Sequence, residues 1–160
     1  MLRRFTGRIA ATTLVLATGL GAAVAFAADE PANIIKYRQN YMKANGGHIA
    51  MIAAMVKGEV SWTDELPGHA QALHEQSKHL LRLFPESTGK GDTEAESAAL
   101  PVTWERWSEF EQKAKDFETE SAKLVEVAEG GDMAAVAQQV GALGTRGCGG
   151  CHETFREKKD

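Results

Sequence analysis

Apolar residues recur at alternating steps of three and four through most of this chain, and that spacing limits the fold more than any other feature. Trp107, Phe110, Ala114, Phe117, Ser121, Leu124 and Ala128 make the most regular stripe. Ile35, Arg38, Met42, Asn45, Ile49, Ile52 and Val56 make a second. Ala70, Leu73, Ser77, Leu80 and Phe84 make a third, and Met133, Val136, Val140, Leu143, Gly147 and Cys151 a fourth. A period of 3.6 residues puts each set on one face of an α-helix. No stretch alternates apolar and polar residues long enough to make a strand. Four helices of about 24 residues would be rods roughly 36 Å long, each with an apolar face to bury. The expected fold is all-α, an antiparallel four-helix bundle.

The punctuation agrees with that division. Gly58 stops the first helix, and Pro67 suits the first turn of the second. Phe84-Pro85 ends the second helix, and 87–99, rich in Gly, Ser, Thr and Glu, reads as a long loop. Pro101 and Thr103 precede the third helix. Gly130-Gly131 separates it from the fourth, for which Asp132 is the expected N-cap.

The first 27 residues read as an address. Arg3, Arg4 and Arg8 open a segment whose apolar run, Ile9 to Ala25, ends in Ala25-Phe26-Ala27. A basic start, an apolar middle and a small-x-small exit make a secretory signal peptide, here cleaved after Ala27. Residues 1–27 are therefore the signal peptide and 28–160 a single domain, exported to the periplasm. No later segment is apolar enough for stable membrane insertion of the mature chain. The full chain holds 18 basic and 22 acidic residues. Losing the three N-terminal arginines leaves 15 against 22, a balance of −7. Without a basic stripe, nucleic acid is not an expected partner, and the acidic balance suits redox partner proteins with a positive docking patch.

The chemistry is concentrated near the C-terminus. Cys148-Gly149-Gly150-Cys151-His152 is C-x-x-C-H, the pattern of c-type haem attachment. Two thiols three residues apart can each form a thioether to one haem vinyl group, and the adjacent imidazole can reach the iron. On a continuous helix the three residues share the bundle-facing side. A thioredoxin-type dithiol would need a βαβ context that is lacking. A structural zinc needs a fourth ligand, and a Cys148–Cys151 disulfide would close a loop too small to add much stability.

Arg146-Gly147-Cys148-Gly149-Gly150-Cys151-His152-Glu153-Thr154-Phe155-Arg156 resembles the haem site of the cytochrome c-prime family, the class II c-type cytochromes. Ile35-Lys36-Tyr37-Arg38-Gln39-Asn40-Tyr41-Met42 resembles the start of that family's first helix, Met55-Val56-Lys57-Gly58-Glu59 its end, and Pro101-x-x-Trp104 the opening of its third. The resemblance spans the mature chain. It implies one covalent haem c held through Cys148 and Cys151, with His152 as proximal iron ligand. It implies that Arg156 covers the proximal imidazole and that Arg38 and Gln39 lie near the haem. Arg38 would sit close to a propionate, the anion that a charge on an apolar stripe requires.

Met42 falls where the family's first helix faces the open side of the iron. High-spin members of that family resemble this chain but carry a residue there that cannot ligate, such as Leu. Their iron is high-spin and five-coordinate, and it binds small gases. A branch with Met closes the site with a soft thioether, which favours ferrous iron. The Asn45-Gly46-Gly47 that follows also resembles that low-spin branch. The expected function is one-electron transfer, with no catalytic residues. A five-coordinate scavenger or sensor of NO or CO is the alternative. A haem-free helical module using Cys148 and Cys151 as a redox pair is a third reading. Met51, Met55 and Met133 read as core filler. His69, His74 and His79, five apart, read as solvated surface, and His48 as a lesser candidate for the distal position. Trp104, Trp107, Phe110 and Phe117 read as core, Trp62 as a packing anchor, and Phe84-Pro85 as cover for a haem edge. The resemblance also brings homodimers through the first two helices, a state the sequence leaves open.

Overall fold

A computed structural model describes residues 30–158. The expected signal peptide, residues 1–27, and its cleavage after Ala27 lie outside the described residues. Helix α1 is Pro31–Val56, α2 Leu66–Ser77, α3 Val102–Glu105, α4 Trp107–Gly130, α5 Met133–Ala142 and α6 Gly150–Phe155. A π-helical stretch, Leu143–Gly149, joins α5 to α6. Helix α1 packs on α2 and α5, and α4 packs on α2, α5, the π stretch and α6. Four helical columns thus close a ring, with α5, the π stretch and α6 forming the fourth, in the antiparallel bundle that the stripes predict. Among the described residues there is no strand, only an isolated antiparallel bridge between Ala99 and Arg156. No described helix is long and apolar enough to cross a membrane.

The two long helices follow the sequence closely. Pro31 opens α1, where a missing N–H costs nothing. At its far end Gly58 adopts φ +71°, and its N–H reaches Met55 O while that of Glu59 reaches Ala54 O at 2.9 Å. This is the paired closure that a left-handed residue permits. Helix α4 ends the same way at Gly131, with φ +71°. Asp132 then caps α5, its carboxylate accepting from Ala134 N at 2.9 Å and Ala135 N at 3.3 Å. The stripes meet in one core in which Ile52, Leu73, Phe110, Leu124, Val136 and Leu143 are sealed from solvent.

Three elements depart from the expectation. Helix α2 has 12 residues, half the predicted rod. The Ser77 hydroxyl donates to His74 O at 2.6 Å and accepts from Ser121 on α4 at 3.2 Å, a local bond that competes with helix propagation. The chain then tightens into a 3₁₀ turn over Leu81–Leu83. Pro85 forces Phe84 out of helical geometry, and Phe84 stands at φ −123°. The third column starts as the separate turn α3, because Arg106 breaks to φ −119°, ψ 45°. The fourth column widens to π geometry before the C-x-x-C-H motif. A Cβ on Gly147 would lie 2.9 Å from Leu143 Cδ1 and 3.3 Å from Phe117 Cδ2, so glycine lets the backbone close onto α4. The Thr145 hydroxyl meanwhile bonds Gly141 O at 3.0 Å. A seven-residue π stretch is uncommon and such stretches concentrate at functional sites.

Four side chains expected elsewhere are corrected here. Met51 is 41% exposed rather than core, and His74 is half-buried with Nδ1 3.3 Å from Ser121 Oγ. Trp62 is 63% exposed and anchors nothing. His69 is not solvated surface but turns inward against α1, as described below.

Candidate functional site

Cys148 and Cys151 lie one turn apart where the π stretch passes into α6, both half-buried and both free thiols. Burial pushes each thiol up, Cys151 to about 12, where the neighbouring Cys148 adds to the rise and Lys113 partly offsets it. Lys113 reaches over from α4; its Cδ would be 3.6 Å from a Cβ at Gly150. Thiols held this high are protonated at neutral pH and poorly suited to disulfide exchange, which proceeds through the thiolate. The site therefore lacks the property that the haem-free redox-pair reading needs.

His152 follows directly, half-buried at the start of α6. Burial lowers its pKa first, and the charge of Arg156 lowers it further. The ring is kept neutral, the form in which imidazole binds a metal. Arg156 Nη1 stands 3.3 Å from His152 Nδ1. A guanidinium only donates, so this contact uses the Nδ1 lone pair. The backbone around Arg156 is fixed by the long loop: Leu100 N donates to Phe155 O at 3.0 Å and Glu157 N to Ala98 O at 2.8 Å. Lys90 also pairs with Glu157.

The same loop meets the first helix at Arg38. Its guanidinium is 5% exposed and donates to Leu83 O at 3.0 Å, Thr88 Oγ1 at 3.0 Å, Thr88 O at 2.6 Å and Ser97 Oγ at 2.9 Å. It also lies 4.6 Å from the centre of the Phe84 ring. The sequence called for an anion here. The structure supplies four neutral oxygens and a ring face instead, which satisfies the terminal N–H groups and leaves the charge itself unbalanced. Burial alone lowers its pKa to about 10, and among the described residues no carboxylate forms an ion pair with it. Gln39 is exposed and donates to Glu96 O at 2.6 Å. Met42, one turn beyond Arg38, is half-buried and packs against the main core cluster. Phe84 is not a free cover: it meets Phe110 edge-on with ring centres 4.7 Å apart, and Trp104 Nε1 donates to its carbonyl at 3.1 Å.

The residues that sequence reasoning missed are Thr88 and Ser97, both buried, and Lys113. Small polar residues in a loop carry no periodic signal. The only hint was Arg38 itself, since a charge on an apolar stripe obliges something polar to meet it. His48, the lesser distal candidate, has its Nδ1 3.0 Å from Nδ1 of His69 on α2, so one of its ring nitrogens is engaged across the α1–α2 seam.

The family model described as cytochrome c′ matches residues 33–156. A cytochrome c′ of Pararhodospirillum photometricum is 36% identical over 128 residues, covering 79% of this chain and 98% of its own. A cytochrome c-554 of Cereibacter sphaeroides is 34% identical over 127 residues, covering 78% and 93%. Among solved structures, a nitric oxide complex of a mutant cytochrome c prime from Alcaligenes xylosoxidans superimposes with a TM-score of 0.71 at 25% identity, over 81% of this chain and 98% of that one.

Proposed function

This chain belongs to the cytochrome c′ family, and we propose that within it the protein is a periplasmic one-electron carrier whose iron is closed on both sides, by His152 and Met42. The family binds one covalent haem c, and Cys148 and Cys151 are the two cysteines of the chain. The residues fit the group: two thiols three positions apart, a neutral imidazole next in sequence, and, on α1, a buried guanidinium whose charge has no carboxylate partner among the described residues. When bound, haem supplies a single iron that takes up or releases one electron.

What the chain's own residues do follows from their places. His152 offers a neutral ring nitrogen from a short, well-tethered helix. Arg156 sets a positive charge beside that ring, which weakens the imidazole as an electron donor and favours the reduced state. Arg38 holds the 84–100 loop to α1 and contributes positive charge for a propionate, and Gln39 secures the loop at Glu96. Met42 offers a thioether from a 26-residue helix. Ligands mounted on packed helices move little when the charge changes, which suits electron transfer over bond-making.

The observation that carries the proposal is Met42, half-buried on the core side of α1 one turn after Arg38, with one ring nitrogen of its rival His48 engaged elsewhere. The test is carbon monoxide binding by the reduced holoprotein. The native protein should resist CO and Met42→Ala should bind it readily. A native protein that binds CO as fast as the variant would overturn Met42 as a ligand. That outcome would leave the five-coordinate reading, supported by the relative solved with nitric oxide. Export, the acidic balance and the exposed apolar residues complete the proposal. The mature chain would dock on a partner with a positive patch. Tyr37 and Met51, 61% and 41% exposed on α1, support pairing with a second copy through the first two helices.

A further inference from the structure

Across the seam between α1 and α2, the structure places three unusual features together. His48 Nδ1 and His69 Nδ1 are 3.0 Å apart, with ring planes at 51°. His69 Nε2 is buried without a hydrogen-bond partner, with Glu65 Oε2 3.7 Å away. One turn before His48, Asn45 Oδ1 is likewise buried and unpartnered. Just outside the pair, α1 carries Gly46 and Gly47 in mid-helix, each costing about 0.5–1 kcal/mol relative to alanine. No packing requirement offsets that cost, for a Cβ at either would meet nothing within 4 Å. The two glycines leave the approach to His48 clear.

We propose that His48 and His69 form a binding site for a divalent late first-row metal ion, with Cu(II) the tightest. Imidazole nitrogens suit Cu, Ni and Zn, and copper leads that series. Two nitrogens 3.0 Å apart, each about 2.1 Å from a shared ion, subtend about 90°. That is the cis angle of a tetragonal site, and a tetrahedral one would hold them about 3.4 Å apart. The Glu65 carboxylate, 3.7 Å from His69 Nε2 and beyond hydrogen-bond distance, still favours the proton on Nε2 by its charge and so frees the Nδ1 lone pair. Metal binding at Nδ1 of His48 moves the one proton shared between the rings to Nε2 of His48, and a rotation of each ring turns both Nδ1 lone pairs toward the ion. Among the described residues no third His, Cys, Asp or Glu completes the set. Water fills the remaining positions, with Asn45 Oδ1 available on the same seam. The proposal is independent of which ligands the haem iron takes.

Cu(II) titrated into ferric holoprotein should bind saturably at one ion per chain and give an electron paramagnetic resonance spectrum with two-nitrogen splitting. His48→Gln and His69→Gln should each weaken binding tenfold or more, whereas His74→Gln and His79→Gln leave it unchanged. Absence of saturable binding overturns the site, as does binding that survives both His48→Gln and His69→Gln. If those variants misfold, Ni(II) and the native protein carry the test. Saturating Ni(II) should raise Tm by several degrees, and no rise overturns the proposal.

Discussion

A guanidinium that is 5% exposed and faces no carboxylate is costly to bury, and Arg38 is kept there by oxygens the loop turns toward it. Arg38→Ala would take the guanidinium donor from Leu83 O and leave Thr88 O with the Ser97 hydroxyl alone, at 2.9 Å. We expect a loss of about 1–3 kcal/mol in urea unfolding, the cost of buried acceptors left without their donor. Arg38→Lys should recover only part of it, because an ammonium cannot span the same fork. Gly147 is the second sensitive position. Its missing Cβ is what lets the π stretch touch Phe117 and Leu143. Gly147→Ala should cost about 1–3 kcal/mol through overpacking, read in the same denaturation experiment. Arg156 is exposed and tied to the site chiefly through His152. Arg156→Ala should therefore leave stability nearly unchanged while lowering the midpoint potential by on the order of tens of millivolts, the scale of a partly screened unit charge nearby.

At the scale of whole elements, α1 and α4 were legible because a stripe and a closing glycine mark each of them. The early end of α2 and the π stretch were not. The first depends on the Ser77 hydroxyl meeting His74 and Ser121. The second depends on how near Gly147 comes to a different helix. Both causes are tertiary, and periodicity carries no trace of them. The 84–100 segment shows the same limit at the site: its composition signalled a loop, yet Thr88 and Ser97 are buried because Arg38 requires acceptors. The C-x-x-C-H motif, in contrast, was readable outright. The α1–α2 seam adds a pH dependence. Burial and the neighbouring His69 lower the pKa of His48. A base depressed in the folded state gives stability that is whole above about 6.5 and is lost as pH falls through its lowered folded value. Metal-free native protein should therefore lose stability as acidification passes below 6.5, and His48→Gln should lose less over the same range, as urea midpoints would report.

The molecule as a whole couples a rigid four-column bundle to one loop that ties its first helix to its last. Arg38 on α1 and the backbone around Arg156 are both held by residues 84–100, so the two arginines share a single scaffold. Such a frame favours an iron whose surroundings barely change between oxidation states. Family membership leaves open whether that iron is closed by a sixth ligand, and the position of Met42 argues that it is. Low-temperature electron paramagnetic resonance of the ferric holoprotein at neutral pH decides the matter. Closure by Met42 predicts a low-spin spectrum, whereas a high-spin signal near g = ~6, expected when iron lacks a strong sixth ligand, would contradict it.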